Sequence, residues 1–248
     1  MSYQSVVKAA IHQQAPFNPN RFVKISDRKD QCDIPESAWK ALLENAFLQT
    51  WKGILFDKGP TETILYPMLM YELQPKTIIE IGALSGGSAV WLADHLEMFQ
   101  IAGCVYSIDI DLSLLDEKAK IDDRVHFLEG DCQQMEAIMP PKMLSELPHP
   151  WLIIEDAHAD AVGVVDYFHH NGLQTGDYVI VEDTNQTMWE IEWEDWNDVE
   201  LISQGQRKLG DLTSWLMRHA NEYLIDTYYQ DMYGYNGSKN WNSILKRV

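Results

Sequence analysis

The 248-residue chain has no apolar run near the roughly 20 residues that cross a bilayer, which excludes a helical membrane span. Its first residues, MSYQSVVKAAIHQQ, have neither an apolar core nor a small-residue cleavage site, so no secretory leader is expected. Cysteine is scarce. Cys32, Cys104 and Cys132 are odd in number and form no CxxC pair, which argues against a disulfide framework and for a reducing, cytoplasmic setting. Basic residues are scarce too: 19 Lys and Arg face 38 Asp and Glu, a net charge of −19. Such a chain is not expected to grip nucleic acid or a membrane surface electrostatically. Repeats, low-complexity tracts and Gly/Ser linkers are all missing, which favours one compact domain over two.

The acidic excess is local. Residues 125–206 hold 17 acids and a single base, Lys142. Most of these acids read as solvated surface, and a few as a carboxylate-rich metal site.

The apolar pattern divides the chain into an N-terminal arm and helical cap, residues 1–74, and a core, residues 75–248. In the cap, Trp39, Leu42, Leu43, Ala46 and Phe47 recur at helical spacing, predicting a helix from Pro35 to about Trp51 with Asp33 as its cap. A second helix is expected over Glu62–Leu73 despite Pro67. Strands are then expected at Thr77–Ala83, Cys104–Ile110, Val125–Glu129, Trp151–Asp156 and Tyr178–Asp183. The helices expected between them are Gly87–Met98, Leu112–Ile121, Gln134–Glu146 and Ala159–Gly172. Near-continuous apolar strands alternating with helices predict a parallel sheet covered on both faces. A last helix, Gln206–Asn221, precedes two strands around Asn236-Gly237, read as a hairpin. The fold class is therefore α/β, with a mainly parallel seven-stranded sheet ending in an antiparallel C-terminal strand.

The stretch IEIGALSGGSAV ends the first core strand and opens a helix. Gly82 and Gly86 let the backbone turn sharply outside the carboxyl end of a strand, where open α/β sheets bind ligands. The spacing is neither GxGxxG nor a P-loop. Glu80 lies just before the turn. Asp109, 27 residues after Gly82, ends the next strand, where a carboxylate can accept both ribose hydroxyls. Asp131 ends the third strand and could sit beside an adenine, and Asp111 reads as a helix cap. An acidic loop repels pyrophosphate and suits a cationic sulfonium, which points to S-adenosylmethionine rather than NAD.

Strand four ends IIEDAHAD and strand five VIVEDTN, at the rim that carries the glycine turn. Asp156, Glu182 and Asp183 should converge there, and three buried like charges call for a cation. Hard oxygen donors suit Mg²⁺. His158 is a candidate general base. Asp160 reads as a cap, and His169 and His170 as structural. Trp189, Trp193 and Trp196 share one helical face beside Glu190, Glu194 and Asp195, which makes Trp189 and Trp193 candidates for an aromatic wall over a substrate. Tyr228, Tyr229, Tyr233, Tyr235 and Trp241 could extend that pocket or form a homo-oligomer contact.

EIGALSGGS, SIDID, IIEDAH and GDYVIVEDTN, in this order and spacing, resemble the cephalosporin hydroxylase / rhamnosyl O-methyltransferase family of class I S-adenosylmethionine-dependent methyltransferases. The resemblance implies a Rossmann-like sandwich, with Gly82, Ser85, Gly86, Ser88, Asp109 and Asp131 on the cofactor motifs. It also implies Mg²⁺ on Asp156, Glu182 and Asp183, and methyl transfer to a hydroxyl of a small-molecule acceptor. The quoted motifs hold no two-His-one-carboxylate iron set, so oxygen insertion is not implied. Two alternatives stay open at this level: a metal-dependent hydrolase that uses no S-adenosylmethionine, and a non-catalytic module that retains the fold.

Overall fold

The β-branched runs form strands because their side chains pack on both faces of a pleated sheet. In the computed structural model, which describes residues 1–12, 18–191 and 198–248, helix α1 (Tyr3–His12) leads to strand β1 (Phe22–Val23). Helix α2 (Glu36–Leu43) and a small hairpin of β2 (Thr50–Trp51) and β3 (Ile54–Leu55) follow, then helix α3 (Glu62–Leu73). The core runs β4 (Thr77–Ile81), α4 (Gly87–Met98), β5 (Cys104–Asp109), α5 (Glu117–Lys120), β6 (Val125–Glu129), α6 (Met135–Ile138), α7 (Pro141–Leu144), β7 (Trp151–Glu155), α8 (Ala161–Asn171) and β8 (Tyr178–Val181). It closes with α9 (Gln186–Glu190), α10 (Val199–Arg218), β9 (Tyr223–Asp226), α11 (Thr227–Gln230) and β10 (Ile244–Arg247).

All five expected parallel strands form, in the spatial order β8-β7-β4-β5-β6. Strand β10 adds antiparallel to β8, and β9 antiparallel to β10. The sheet has eight strands rather than seven, because β1 pairs antiparallel with β9 at the edge. Alternate residues feed two apolar layers. Ile79, Ile81, Ile153 and Val179 pack with Val165 and Phe168 of α8 and Trp215 of α10. Ile78, Leu152, Ile154 and Ile180 pack with Leu69 of α3 and Trp91 and Leu92 of α4.

Several expected helices are shorter or broken. The cap helix stops at Leu43, followed by a 3-10 turn at Ala46–Leu48 and then β2; Phe47 and Leu48 are exposed, so nothing rewards continuing the apolar stripe. Asp33 does not cap it. Pro35 holds that position, and Asp33 Oδ2 accepts the amide of Tyr235 at 2.8 Å. The stretch expected as Gln134–Glu146 is interrupted at Pro140-Pro141, where proline denies the helix its donor. Asp160 and Asp111 do cap, accepting the amides of Gly163 and Ser113 at 2.9 and 2.8 Å. The tight Asn236-Gly237 hairpin is replaced by a long excursion, residues 227–243, between β9 and β10. Among the described residues, no helix is long and apolar enough to cross a membrane.

Candidate active site

The chain leaves β4 toward β5 on one side and later returns to β7 on the other, so β4 and β7 flank a topological switch point. Ile81 is in register with Glu155, and the Asp156 amide bonds Ile81 O at 2.8 Å. The turn after β4 is thereby laid against the turn after β7. Gly82 has φ +103°, and a Cβ there would stand 2.5 Å from Asp156 O. Any other residue would part the two turns. Gly86, at φ +83°, caps α4 and packs against Ala119 and Phe127, so it shapes the turn from behind.

Asp109 braces the same loop, its Oδ2 accepting the amide of Leu84 at 2.8 Å. Ser85 Oγ donates to Leu55 O at 2.8 Å and ties the loop to the β2–β3 hairpin. Asp131 caps the turn after β6, accepting the Gln133 amide at 2.9 Å. Gly82, Ser85, Ser88, Asp109 and Asp131 line a cavity of about 950 Å³. Glu80 is not among the lining residues. It lies fully buried and accepts Ser107 Oγ at 2.6 Å; burial pushes its pKa up, with Lys58 opposing.

The carboxylates after β7 and β8 do meet, but two lysines stand among them. Lys58 Nζ lies 2.5 Å from Asp156 Oδ2 and 2.6 Å from Glu182 Oε1. Lys239 Nζ lies 2.9 Å from Asp183 Oδ1 and 4.0 Å from Glu182 Oε2. Both lysines are buried. Burial alone would lower their pKa values, but Asp156 and Glu182 around Lys58, and Asp183 and Glu182 around Lys239, outweigh it and raise them. Glu182 is fully buried, and burial, then repulsion from Asp156, pushes its pKa up against the pull of the lysines. Asp183 goes the other way: burial would raise it, but Lys239 and His158 hold it well below the usual carboxylate range.

The three carboxylates are therefore not equivalent. Asp156 and Asp183 line the cavity with His158, and one donor atom from each of these three lies within 4.8 Å of the others. Glu182 sits behind them. The oxygen donors of Asp156 and Asp183 fit a hard divalent cation, with Glu182 as a charge beneath it, and such an ion would share the carboxylates with Lys58 and Lys239. His158 Nε2 is 3.6 Å from Asp183 Oδ2, and its Nδ1 is buried without a hydrogen-bond partner. His158 and Asp183 have φ of 33° and 60°. Left-handed backbone at non-glycine residues costs about 1–3 kcal/mol each and tends to cluster at functional sites.

The wall opposite the glycine turn comes from the cap and from α9. Leu43 and Phe47 line it, as do Met188 and Trp189. Trp189 Nε1 donates to Asp183 O at 2.7 Å, and its ring meets His158 edge-on at 5.6 Å. Trp193, Trp196, Glu194 and Asp195 lie outside the described residues.

Lys58, Lys239 and the cavity-lining Asp57 have no recognisable spacing from the strand-end motifs. Lys58 precedes α3 and Lys239 sits in the β9–β10 excursion. One signal does point to them. A stretch with 17 acids and one base that enters a buried core must take its cations from elsewhere in the chain. Lys58, Lys239 and Lys208, which lies 2.8 Å from Glu155, all come from outside it.

The sheet order, the glycine turn at the switch point and the antiparallel C-terminal strand define the class I methyltransferase fold. Residues 45–248 match the Rhamnosyl O-methyltransferase/CmcI family, and the chain belongs to that family. A CmcI structure with Mg and SAM superposes with a TM-score of 0.64 at 24% identity, covering 96% of this chain and 95% of that one. CmcI with SAH gives 0.62 at 25% identity, over 89% and 96% of the two chains. The rhamnosyl O-methyltransferase of Mycobacterium tuberculosis H37Rv is 29% identical over 139 residues, 55% of this chain. The matched stretch spans 57% of that relative's length.

Proposed function

We propose that the protein transfers a methyl group from S-adenosylmethionine to a hydroxyl of a neutral small molecule, with Mg²⁺ at Asp156 and Asp183. The observation that carries this reading is the opening of the glycine turn and the paired carboxylates into one cavity. Family membership and the Mg- and SAM-containing CmcI structure support both cofactors. They also count against a hydrolase or a non-catalytic module.

When bound, S-adenosylmethionine supplies an electrophilic methyl group, and the metal lowers the pKa of an acceptor hydroxyl. The chain's own residues do the rest. Asp109, at the end of β5, and Asp131, in the turn after the adjacent β6, present carboxylates to the ribose and adenine side of the cavity. Ser85 and Ser88 sit beside the turn that faces the cofactor. His158 takes the acceptor proton, and Asp183 at 3.6 Å stabilises the resulting imidazolium. Trp189 and the cap residues cover the acceptor and hold its oxygen in line, which can contribute several kcal/mol.

Six acids and three lysines line the cavity, a balance that disfavours anionic acceptors. The mycobacterial relatives are named for a rhamnosyl acceptor, and a neutral sugar hydroxyl suits this lining. A second reading rests on the lysines. Lys58 and Lys239 already neutralise part of the carboxylate cluster, so methyl transfer could proceed without added metal.

Calorimetric titration with S-adenosylmethionine, with and without Mg²⁺, tests the proposal. Micromolar binding followed by Mg²⁺-dependent methylation of hydroxylated acceptors is expected. Absence of binding under both conditions would sink the methyltransferase reading, and EDTA-resistant turnover would select the lysine-only version.

A further inference from the structure

His169 and His219, at the ends of α8 and α10, meet Glu222 just before β9. This is the amino edge of the parallel sheet, opposite the cavity: Tyr223 pairs with Arg247, whose neighbour Lys246 lies beside Tyr178, the first residue of β8. One donor atom from each of the three side chains lies within 4.8 Å of the others. His169 Nε2 is 3.7 Å from Glu222 Oε2, and His219 Nδ1 is 3.6 Å from Glu222 Oε1. Donors bound at 2.0–2.1 Å to a tetrahedral ion are about 3.3 Å apart, so the two His–Glu gaps are already nearly closed.

The rings are held ready. Trp215 stacks on His219 at 4.2 Å and meets His169 edge-on at 5.6 Å, and Asp166 fixes the indole by accepting its Nε1 at 2.8 Å. His169 Nδ1 is engaged with the Tyr223 hydroxyl at 3.1 Å, which turns Nε2 toward Glu222. A hydrogen bond on the second ring nitrogen is the usual way a metal-binding histidine is oriented. His219 Nδ1 is buried and has no hydrogen-bond partner. A buried nitrogen aimed at a carboxylate without bonding it lacks a partner that a cation would supply. Glu222 is half-exposed, which leaves room for a solvent ligand. Among the described residues, Arg247, 3.2 Å from Glu222 Oε2, is the cation that would have to yield.

The geometry points to a second metal site, formed by His169, His219 and Glu222, that takes a first-row divalent ion of the Zn²⁺ type. Two imidazoles and one carboxylate suit zinc, whereas the all-oxygen pair at the opposite rim suits Mg²⁺. The ion would pin the ends of α8 and α10 to the start of β9. Its role is structural, and it is independent of the methyl-transfer reading.

The test uses the full chain, stripped with chelator and titrated with ZnCl₂ and CoCl₂. Calorimetry, thermal unfolding and the visible absorption of bound Co²⁺ are the readouts, in wild type, His219→Gln, Glu222→Gln and Asp156→Asn. Wild type and Asp156→Asn should bind one Zn²⁺ at this site with a raised Tm and a Co²⁺ band. His219→Gln and Glu222→Gln should keep their metal-free Tm but lose more than about 100-fold in affinity, exceeding what outer-sphere changes cost. Equal Zn²⁺ binding by wild type and His219→Gln would overturn the proposal. So would loss of binding in Asp156→Asn alone, or no Zn²⁺ binding by wild type. If a histidine variant of the cluster unfolds, the Co²⁺ spectrum of His158→Gln decides, because it removes the imidazole beside Asp156 and Asp183: an imidazole-type band retained there supports the site, and its absence refutes it.

Discussion

Two charge networks lie in this molecule, and they are built on opposite plans. At the sheet edge, Arg21 forks onto Asp226 through Nε at 2.8 Å and Nη2 at 2.6 Å, and reaches Glu72 at 2.6 Å. Tyr178 and Tyr229 donate to the same two carboxylates at 2.9 and 2.6 Å. Every charged group there has a directed partner, and none of these residues lines the cavity at the glycine turn. At the carboxyl rim, two lysines face Asp57, Asp156, Glu182 and Asp183, with Glu80 beneath, so negative charge is in excess. The backbone is in the left-handed region at His158 and Asp183, and Asp57, Asp156, His158 and Asp183 all line the cavity. Both networks perturb their titratable groups, so perturbation alone does not separate function from structure. Buried carboxylate oxygens without a hydrogen-bond partner, as at Glu80, Glu182 and Asp183, together with strained backbone and an open face, do.

The widest separation should come from paired variants. Asp156→Ala removes one carboxylate from an over-supplied cluster, and Lys58 keeps Glu182 as partner. Methyl transfer should fall by about 10²–10³-fold, the equivalent of several kcal/mol of lost metal-assisted activation, while the unfolding midpoint holds and S-adenosylmethionine still binds. A fully active, EDTA-indifferent variant would refute the metal assignment. Arg21→Met does the reverse. It strands Asp226 as a buried unpaired charge and should cost about 3–5 kcal/mol in denaturant unfolding, with cofactor affinity unchanged in the folded fraction. Loss of cofactor binding before unfolding would show that the two networks are coupled.

The same contrast explains what could be read from the sequence. The parallel block was legible because Thr77–Ile81, Trp151–Glu155 and Tyr178–Val181 are buried on both faces and read as continuous apolar runs. Gly82, Asp109, Asp156 and Asp183 were legible because strand ends put their followers on one rim whatever the details of packing. Strand-end position could not tell lining from support: Glu80 and Glu182 share the pattern, yet each is fully buried behind the cavity wall. Lys58, Lys239 and Arg21 reach Asp156, Asp183 and Asp226 across 98, 56 and 205 residues, and no local periodicity encodes such contacts. The cluster of His169, His219 and Glu222 was missed for the same reason. His169 reads locally as a helix end, and its partners arrive on another helix and a strand.

The finest discrimination is in pH. Partial desolvation would push Glu72 up, yet its bonds from Arg21 and Tyr229 win and hold its pKa below the ordinary value. A carboxylate whose folded pKa is depressed adds stability above the unfolded value of about 4.3, and that stability is lost as pH falls through the folded value. Asp57 is shifted the opposite way. Burial raises its pKa, and Asp156 and Asp183 add to the rise against Lys239. Its contribution is fully present below the unfolded value near 3.9 and is lost as pH rises through the folded one. Glu72→Gln should therefore lower stability at pH 7 and converge with wild type on acidification. Asp57→Asn should raise stability at pH 7 and also converge at low pH. Urea midpoints taken from pH 3 to 8 read both slopes. If Asp57→Asn were destabilising at neutral pH, Asp57 would behave like the fully hydrogen-bonded carboxylates at the sheet edge, and the charge excess at the rim would be confined to the carboxylates that follow β7 and β8.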